Sequence, residues 1–359
     1  DKQIIDRIMQ PPFQLERQPE LFIQVAIPNE FQKIGKYNIG ITAGIETNMC
    51  SEAWLEGCNR MDVIFTTSKH SKDVFLNTNV HHRDQAGNTV KEVKLNVPIE
   101  VLHNCVNLDV FHKTESNDLN GNIKKLFMGI PEEFCFLFVG HWLRGGLGED
   151  RKNVGVLIKT FLETFKNSSK QNRPALILKT SGAGFSLLDR KEIRDKIQQL
   201  KDHVGGDLPN IYLVHGDLTE VEMNSLYNHP KVKVHVSFTK GEGFGRPLLE
   251  ASMSKKPIIA SGWSGHLDFL NPTDAILVGG EVRQIENGSV WDGVLIRESA
   301  WFNVDPKAAS GALMFVFKNY ARFLEGASKL AKKNKDQFSY KAILQQTDDL
   351  LQKYVPTFE

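Results

Sequence analysis

The sequence has few cysteines, no long apolar run and no excess of charge of either sign. Four cysteines in 359 residues, with no Cys-x-x-Cys pair, are too few for a disulfide framework and favour a reduced compartment. No apolar run approaches the ~20 residues of a membrane span, and the first residues do not resemble a signal peptide. The 44 basic and 43 acidic residues nearly cancel, so a broad nucleic-acid-binding surface is not expected. These absences lead us to expect a cytoplasmic protein without a nucleic-acid partner.

The length of the chain and the order of its apolar segments predict an α/β protein of two domains. A chain of 359 residues exceeds the usual size of a single hydrophobic core. Short apolar strands alternate with helical segments, which is the pattern of parallel sheets covered on both faces. The clearest predicted strands are 21–27, 38–42, 62–67, 134–139, 174–179, 210–215 and 233–237.

A glycine-rich stretch after the last of these strands predicts a ligand-binding loop. Gly241, Gly243 and Gly245 stand at alternate positions, and we expect positive φ there, which lets the backbone approach a ligand. A proline two residues later favours a helix start, where free N–H groups attract phosphate. Two carboxylates, Glu242 and Glu250, frame the site. A strand–helix turn with two solvated glutamates is the structural alternative.

The segment Glu242-Gly-Phe-Gly-Arg-Pro-Leu-Leu-Glu250 resembles the Glu-x7-Glu signature of retaining, nucleotide-sugar-dependent glycosyltransferases of family four. That family has the GT-B fold, in which two Rossmann-like lobes with parallel sheets face each other. The resemblance implies that Glu242 is a catalytic residue that binds hydroxyls of the donor sugar, and that Glu250 binds the ribose. It also implies that the loop residues Gly243, Phe244, Gly245 and Arg246 approach the sugar and the phosphates.

A second part of the resemblance lies between strand 134–139 and the next helix. Lys152 matches a lysine that contacts the donor diphosphate in the family and is therefore a second catalytic candidate. The family has an arginine where this chain has His141, so the role of that arginine falls to His141, Arg144 or Arg151. An exposed Arg–Lys pair is the ordinary alternative. Gly216 follows a strand at the place where the family touches the nucleotide base.

The first lobe departs from the family pattern. The family opens with a strand and a Gly-rich loop that have no counterpart at the start of this chain, so we expect this lobe to be incomplete at its N-terminus. A first-lobe histidine that approaches the donor sugar is also missing. Either Glu46 or Thr47 substitutes for it, or the group is absent; a loop carboxylate or helix cap is an equally good interpretation of Glu46.

The domain boundaries follow from the same comparison. Residues 1–118 are expected to form the acceptor-side lobe and residues 119–336 the donor-binding lobe, with a terminal helix in 337–359 crossing back onto the first lobe. The lysine cluster at 329–335 is either a contact with anionic lipid at the cytoplasmic face of a membrane or a solvated helix face.

The resemblance implies transfer of a sugar from a UDP- or GDP-sugar to an acceptor hydroxyl of a glycan, a lipid or a small molecule. No Asp-x-Asp is present, which favours a site without metal, and no cofactor is expected. A catalytically silent sugar-nucleotide-binding or scaffold protein of the same fold remains the alternative. A nicotinamide dehydrogenase is disfavoured, because Gly243-Phe-Gly-Arg-Pro-Leu248 lacks the third glycine of G-x-G-x-x-G.

Overall fold

Two parallel sheets form the framework of the protein in a computed structural model that describes residues 17–143, 145–182 and 184–358. Among these residues the strands are β1 (Leu21–Val25), β2 (Tyr37–Thr42), β3 (Val63–Thr66), β4 (Asn79–Arg83), β5 (Thr89–Lys94), β6 (Ile99–Val101), β7 (Cys135–Val139), β8 (Ala175–Lys179), β9 (Ile211–Val214), β10 (Val232–Ser237), β11 (Ile258–Ser261), β12 (Ile276–Val278), β13 (Gly280–Gln284) and β14 (Ala300–Val304). The α-helices are α1 (Glu52–Cys58), α2 (Lys69–Asn77), α3 (Gly121–Met128), α4 (Val154–Phe165), α5 (Leu187–Val204), α6 (Glu220–Asn228), α7 (Arg246–Ser252), α8 (Pro306–Lys318), α9 (Leu324–Phe338) and α10 (Tyr340–Tyr354).

The first lobe is built on a four-stranded parallel sheet in the order β1-β2-β3-β6. Successive side chains of β3 point to opposite faces, and both faces are apolar. Ile64 packs in a cluster with Trp54 of α1 and Phe75 of α2, whereas Phe65 packs on the side covered by α10. A strand buried on both faces explains its continuous apolar sequence. The hairpin of β4 and β5 is antiparallel and separate from this sheet.

The second lobe is built on a six-stranded parallel sheet in the order β12-β11-β10-β7-β8-β9. The chain adds β8 and β9 on one side of β7, then returns to add β10, β11 and β12 on the other side. The strand order therefore reverses between β7 and β10. In open sheets of this kind, ligands bind at the carboxyl ends of the strands at such a switch point. The loop after β7 and the glycine loop after β10 meet there.

The terminal helix α10 lies against the first lobe. Leu350, Leu351 and Tyr354 pack on the same face of the first sheet as Phe65, and the Tyr354 hydroxyl donates to Glu100 Oε1 at 2.7 Å. The boundaries at residues 118/119 and 336/337 stay predictions. In the part of the chain that the structure describes, no helix combines the length and the apolar character needed to cross a membrane.

Candidate functional site

The glycine loop is shaped by contact with the first lobe. Only Gly245 has a positive φ, at 97°, as the left-handed residue that precedes α7. The prediction of positive φ at Gly241 and Gly243 is wrong. A Cβ at Gly241 would lie 1.9 Å from the Glu46 carbonyl oxygen, and one at Gly243 would lie 2.5 Å from the Ala43 carbonyl oxygen. These two glycines are required because the backbone after β2 packs directly against the loop.

Glu242 is held in place by the loop that follows β11. Its backbone N–H donates to Ser264 Oγ at 2.9 Å, and its carbonyl accepts from the Gly265 N–H at 2.9 Å. Ser264 takes a φ of 82°, which is unusual for a residue with a Cβ and costs conformational energy. The Glu242 residue is 7% exposed. The fold thus fixes a buried carboxylate at the carboxyl end of β10.

Two cations pair with this carboxylate, and one of them also pairs with a carboxylate of the first lobe, so the cluster has four charged side chains in all. Lys152 Nζ forms an ion pair with Glu242 Oε1. Arg151 Nη1 lies 3.5 Å from Glu242 Oε2 and 3.2 Å from Glu46 Oε1 of the first lobe. Burial by itself would raise the pKa of Glu242, but the cations Lys152 and Arg151 outweigh burial and hold that pKa at about 2. Glu242 is therefore ionised at every physiological pH.

The loop after β7 delivers both cations. Asp150 Oδ2 accepts from the Val154 N–H at 3.0 Å at the start of α4, and Asn153 is left-handed with a φ of 56°. The Arg151 carbonyl accepts from the Lys240 N–H at 2.8 Å, which joins this loop to the glycine loop. The sequence interpretation of Arg151 and Lys152 as an exposed pair does not hold, because both side chains are largely enclosed.

Further predicted residues line the same edge of the sheet. His141 Nδ1 lies 3.1 Å from Ser181 Oγ, and burial together with Lys152 and Lys179 lowers the pKa of His141. Lys179 Nζ donates to the Gly216 carbonyl at 2.9 Å. The imidazole is therefore neutral near pH 7 in a positively charged environment. Arg144 lies outside the described residues.

The second carboxylate of the motif has a different environment. Glu250 Oε1 lies 3.1 Å from Arg246 Nε, and Oε2 accepts from the Tyr227 hydroxyl at 3.3 Å. Burial raises the pKa of Glu250 to about 7, and Arg246 and Tyr227 only partly counteract it. The two glutamates of one motif thus differ in ionisation, because Glu242 has two close cations and Glu250 has one exposed arginine.

Phe244 cannot contact a ligand through its side chain. The ring is buried in the core of the second lobe, with ring centroids 5.1 Å from Phe269 and 5.9 Å from Phe338. An apolar ring at this position packs against the core while its backbone continues the loop. The family resemblance assigns the donor contact to the loop amides, and the role of Phe244 in donor binding stays a prediction for its backbone N–H.

Comparison with known proteins identifies the architecture. No protein-family model matches the chain, and no curated protein matches it in sequence. Among solved structures, HepE from Anabaena in complex with UDP and glucose superposes with a TM-score of 0.61 at 16% identity, over 88% of this chain and 72% of that one. Sucrose-phosphate synthase from Thermosynechococcus elongatus gives 0.62 at 15% identity, over 93% and 73%. The chain has the GT-B fold. The pneumococcal O-GlcNAc transferase GtfA, in complex with UDP and GlcNAc, gives 0.53 at 14% identity, over 89% and 53%.

The predicted GT-B architecture of two lobes with parallel sheets is confirmed. Within this fold the cluster of Glu46, Arg151, Lys152 and Glu242 lies where the lobes meet. It contains both of the predicted catalytic residues, and Glu46, which the sequence left open, joins it. Glu46 is not the cap of α1, because Ser51 occupies that position. In the described part of the chain, no group of three or more His, Cys, Asp or Glu side chains is arranged to hold a metal ion.

Sequence reasoning missed two residues that position the site of this GT-B fold. Ser264 lies in a loop that the sequence marked only by small residues, and its contact with Glu242 spans 22 positions. Lys240 begins the motif stretch, yet its ammonium group is fully buried and paired with Glu286 at 2.7 Å. A lysine is seldom buried, so nothing in the sequence distinguished it from a surface residue.

Proposed function

We propose that the chain is a retaining, metal-independent glycosyltransferase of family four that transfers a sugar from a nucleoside diphosphate to an acceptor hydroxyl. The observation that carries this proposal is the cluster of Lys152, Arg151 and Glu242 at the switch point of the second sheet. It combines cations for a diphosphate with a carboxylate for a sugar, on the GT-B fold. The solved neighbours that bind UDP and a sugar support the choice.

The two cations account for the departure of the diphosphate. When the bond between the anomeric carbon and the phosphate oxygen breaks, the electron pair stays on that oxygen, and the diphosphate gains negative charge. Lys152 Nζ and the Arg151 guanidinium supply fixed positive charge in an enclosed site, where electrostatic stabilisation is strong. The chemistry then needs no metal ion.

Glu242 serves the sugar. Glu242 is ionised and pairs with Lys152 in the free protein. When the donor binds, its diphosphate pairs with Lys152 instead, and the Glu242 carboxylate can then accept hydrogen bonds from the sugar hydroxyls. These hydrogen bonds strengthen as positive charge develops at the anomeric carbon, which lowers the barrier to transfer. Glu46 adds a second carboxylate from the first lobe, on the acceptor side of the cluster.

Glu250 serves the ribose of the donor, and His141, Lys179 and Gly216 surround the remaining nucleotide. An ionised Glu250 accepts from two ribose hydroxyls, which discriminates a nucleotide from a free sugar phosphate. HepE was solved with UDP and with UDP-glucose, so a uridine donor is the first choice and a guanosine donor the second.

The experiment compares nucleotide binding with turnover. UDP or GDP is expected to raise the Tm of the protein, and one member of a nucleotide-sugar panel should be converted to free nucleoside diphosphate. Lys152→Met should abolish both effects, whereas Lys191→Met, which removes a lysine from an exposed pair on α5, should change neither. A Tm shift without turnover of any donor would favour a silent binding protein. No Tm shift by any nucleotide would reject the proposed function.

A further inference from the structure

A segment of the second lobe crosses to the first lobe beside the charged cluster. This bridge segment, residues 285–299, connects β13 with β14. Ser51 Oγ donates to the Gly293 carbonyl at 3.0 Å, and Val294 and Leu295 pack against the first-lobe core around Trp54. The bridge segment therefore closes one side of the space between the lobes.

The other end of the bridge segment is fastened to the loops that hold the cluster. Glu286 Oε1 lies 2.7 Å from Lys240 Nζ, and its Oε2 accepts from Trp301 Nε1 at 3.1 Å. Ser289 Oγ donates to the Glu149 carbonyl at 2.6 Å, two residues before Arg151. Separating Glu286 from the buried Lys240 ammonium group would cost stability. Since the Lys240 N–H also donates to the Arg151 carbonyl, this end of the bridge segment is held beside Arg151 and Lys152.

Trp291 lies between these two anchors and remains exposed. It is 64% exposed, whereas Trp54, Trp142 and Trp301 are all at most 5% exposed. Its backbone is held by two hydrogen bonds with Leu295, of 3.0 and 2.8 Å, across a turn that contains Gly293 with a φ of 76°. Tryptophan is enriched at binding interfaces, because its ring offers a large flat apolar area and its N–H a polar contact, and a fixed backbone presents that ring at a low cost in entropy.

We propose that Trp291 is the platform on which a sugar ring of a carbohydrate acceptor stacks. This inference rests on the proposed function and names the class of acceptor for it. The C–H face of a pyranose is apolar and matches the flat indole, while its hydroxyls meet the exposed carboxylate of Asp292 next in sequence. Trp291 stands two residues from Ser289, which contacts the Glu149 carbonyl, and two residues from Gly293, which contacts the first lobe. The first lobe is the acceptor-side lobe under the proposed function, so a ring stacked here is assigned to the acceptor.

The test uses neutral trisaccharides as probes, because the acceptor is not identified. Maltotriose, cellotriose, mannotriose and chitotriose are titrated against the full chain with UDP or GDP present. Protection of tryptophan fluorescence from acrylamide is measured on the wild type, and calorimetry measures the affinity of every variant, because Trp291→Ala removes the exposed fluorophore. At least one trisaccharide should protect the wild type. Trp291→Ala should weaken its binding roughly 8- to 30-fold, since roughly 50–80 Å² of apolar contact is lost, and Trp291→Tyr should restore part of it.

Controls separate this site from folding and from the nucleotide site. Met128→Ala removes another highly exposed apolar side chain, on α3, and should leave trisaccharide binding unchanged. Trp291→Ala should keep the wild-type Tm and nucleoside diphosphate affinity. In turnover, it should raise the acceptor KM while the slow hydrolysis of the donor stays constant.

Three outcomes would overturn the inference. One is that no trisaccharide protects the wild type, and another is that the calorimetric affinity for the trisaccharide is unchanged in Trp291→Ala. The third is that Trp291 is needed for binding to phosphatidylglycerol vesicles and not to trisaccharides, which would make it a lipid contact. Protection by a trisaccharide without any nucleotide binding would instead reject the proposed function and keep the sugar site.

Discussion

Replacing Glu250 with glutamine is expected to stabilise the free protein and to weaken nucleotide binding at the same time. Glu250 is a buried carboxyl whose pKa is raised from 4.5 to about 7, which corresponds to roughly 3 kcal/mol. The folded state holds this proton more tightly than the unfolded state, so stability is lost as the pH rises from about 4.5 to about 7. Glutamine carries no charge and escapes that loss.

The expected stability difference between Glu250→Gln and the wild type depends on whether it is measured at pH 5 or at pH 8. At pH 8 the Glu250→Gln variant should be more stable than the wild type by about 1–3 kcal/mol, the lower value allowing for the lost hydrogen bonds to Arg246 and Tyr227. At pH 5 the two proteins should be nearly equal. Urea unfolding at both pH values measures the difference, and an equal difference at pH 5 and pH 8 would show that the pKa is not raised.

Nucleotide binding should respond in the opposite direction. Loss of a charge-assisted hydrogen bond to the ribose costs about 1.5–3 kcal/mol, or roughly 10- to 150-fold in affinity for UDP or GDP. The Kd of the variant divided by the Kd of the wild type should grow from pH 6 to pH 8 as Glu250 ionises in the wild type. Ionisation of the nucleotide phosphates changes both Kd values equally and therefore does not change this ratio. Tyr227→Phe keeps the carboxylate and serves as the control. A ratio of one at every pH, measured by calorimetry, would refute the ribose assignment.

The remaining predictions concern the glycine loop, the first glutamate and metal ions. Gly241→Ala should destabilise the protein by about 1–3 kcal/mol and abolish transfer, because the new Cβ would lie 1.9 Å from the Glu46 carbonyl oxygen and force the lobes apart. The control Gly311→Ala, in open space on α8, should raise the stability by roughly 0.5–1 kcal/mol. Equal effects of the two substitutions on thermal unfolding would contradict the packing argument. Glu242→Gln should decrease kcat strongly and change the donor KM little. It should also lower the Tm, because Lys152 loses its buried partner. An unchanged kcat would show that Glu242 takes no part in the reaction. Transfer rates should be the same with magnesium and with EDTA, and strict dependence on a divalent ion would contradict a site that relies on Lys152 and Arg151.

The sequence by itself determined the local features of this protein. Continuous apolar strands such as β3 and β7, alternating with helices, predicted parallel sheets, because a strand covered on both faces has that pattern. The motif from Glu242 to Glu250 predicted a strand–loop–helix unit, since glycine and proline act on their own backbone angles. The two catalytic candidates, Glu242 and Lys152, came from the resemblance of their motifs to those of a known family.

Only the tertiary structure decided how these features meet. Lys152 and Glu242 are 90 positions apart and form an ion pair because the strand order reverses between β7 and β10. Gly241 is required by the Glu46 backbone of the other lobe, and not by its own φ. The opposite pKa shifts of Glu242 and Glu250 follow from the number of cations around each carboxylate. Sequence patterns report forces within a few residues, whereas burial and charge pairing depend on which distant segments the fold brings together.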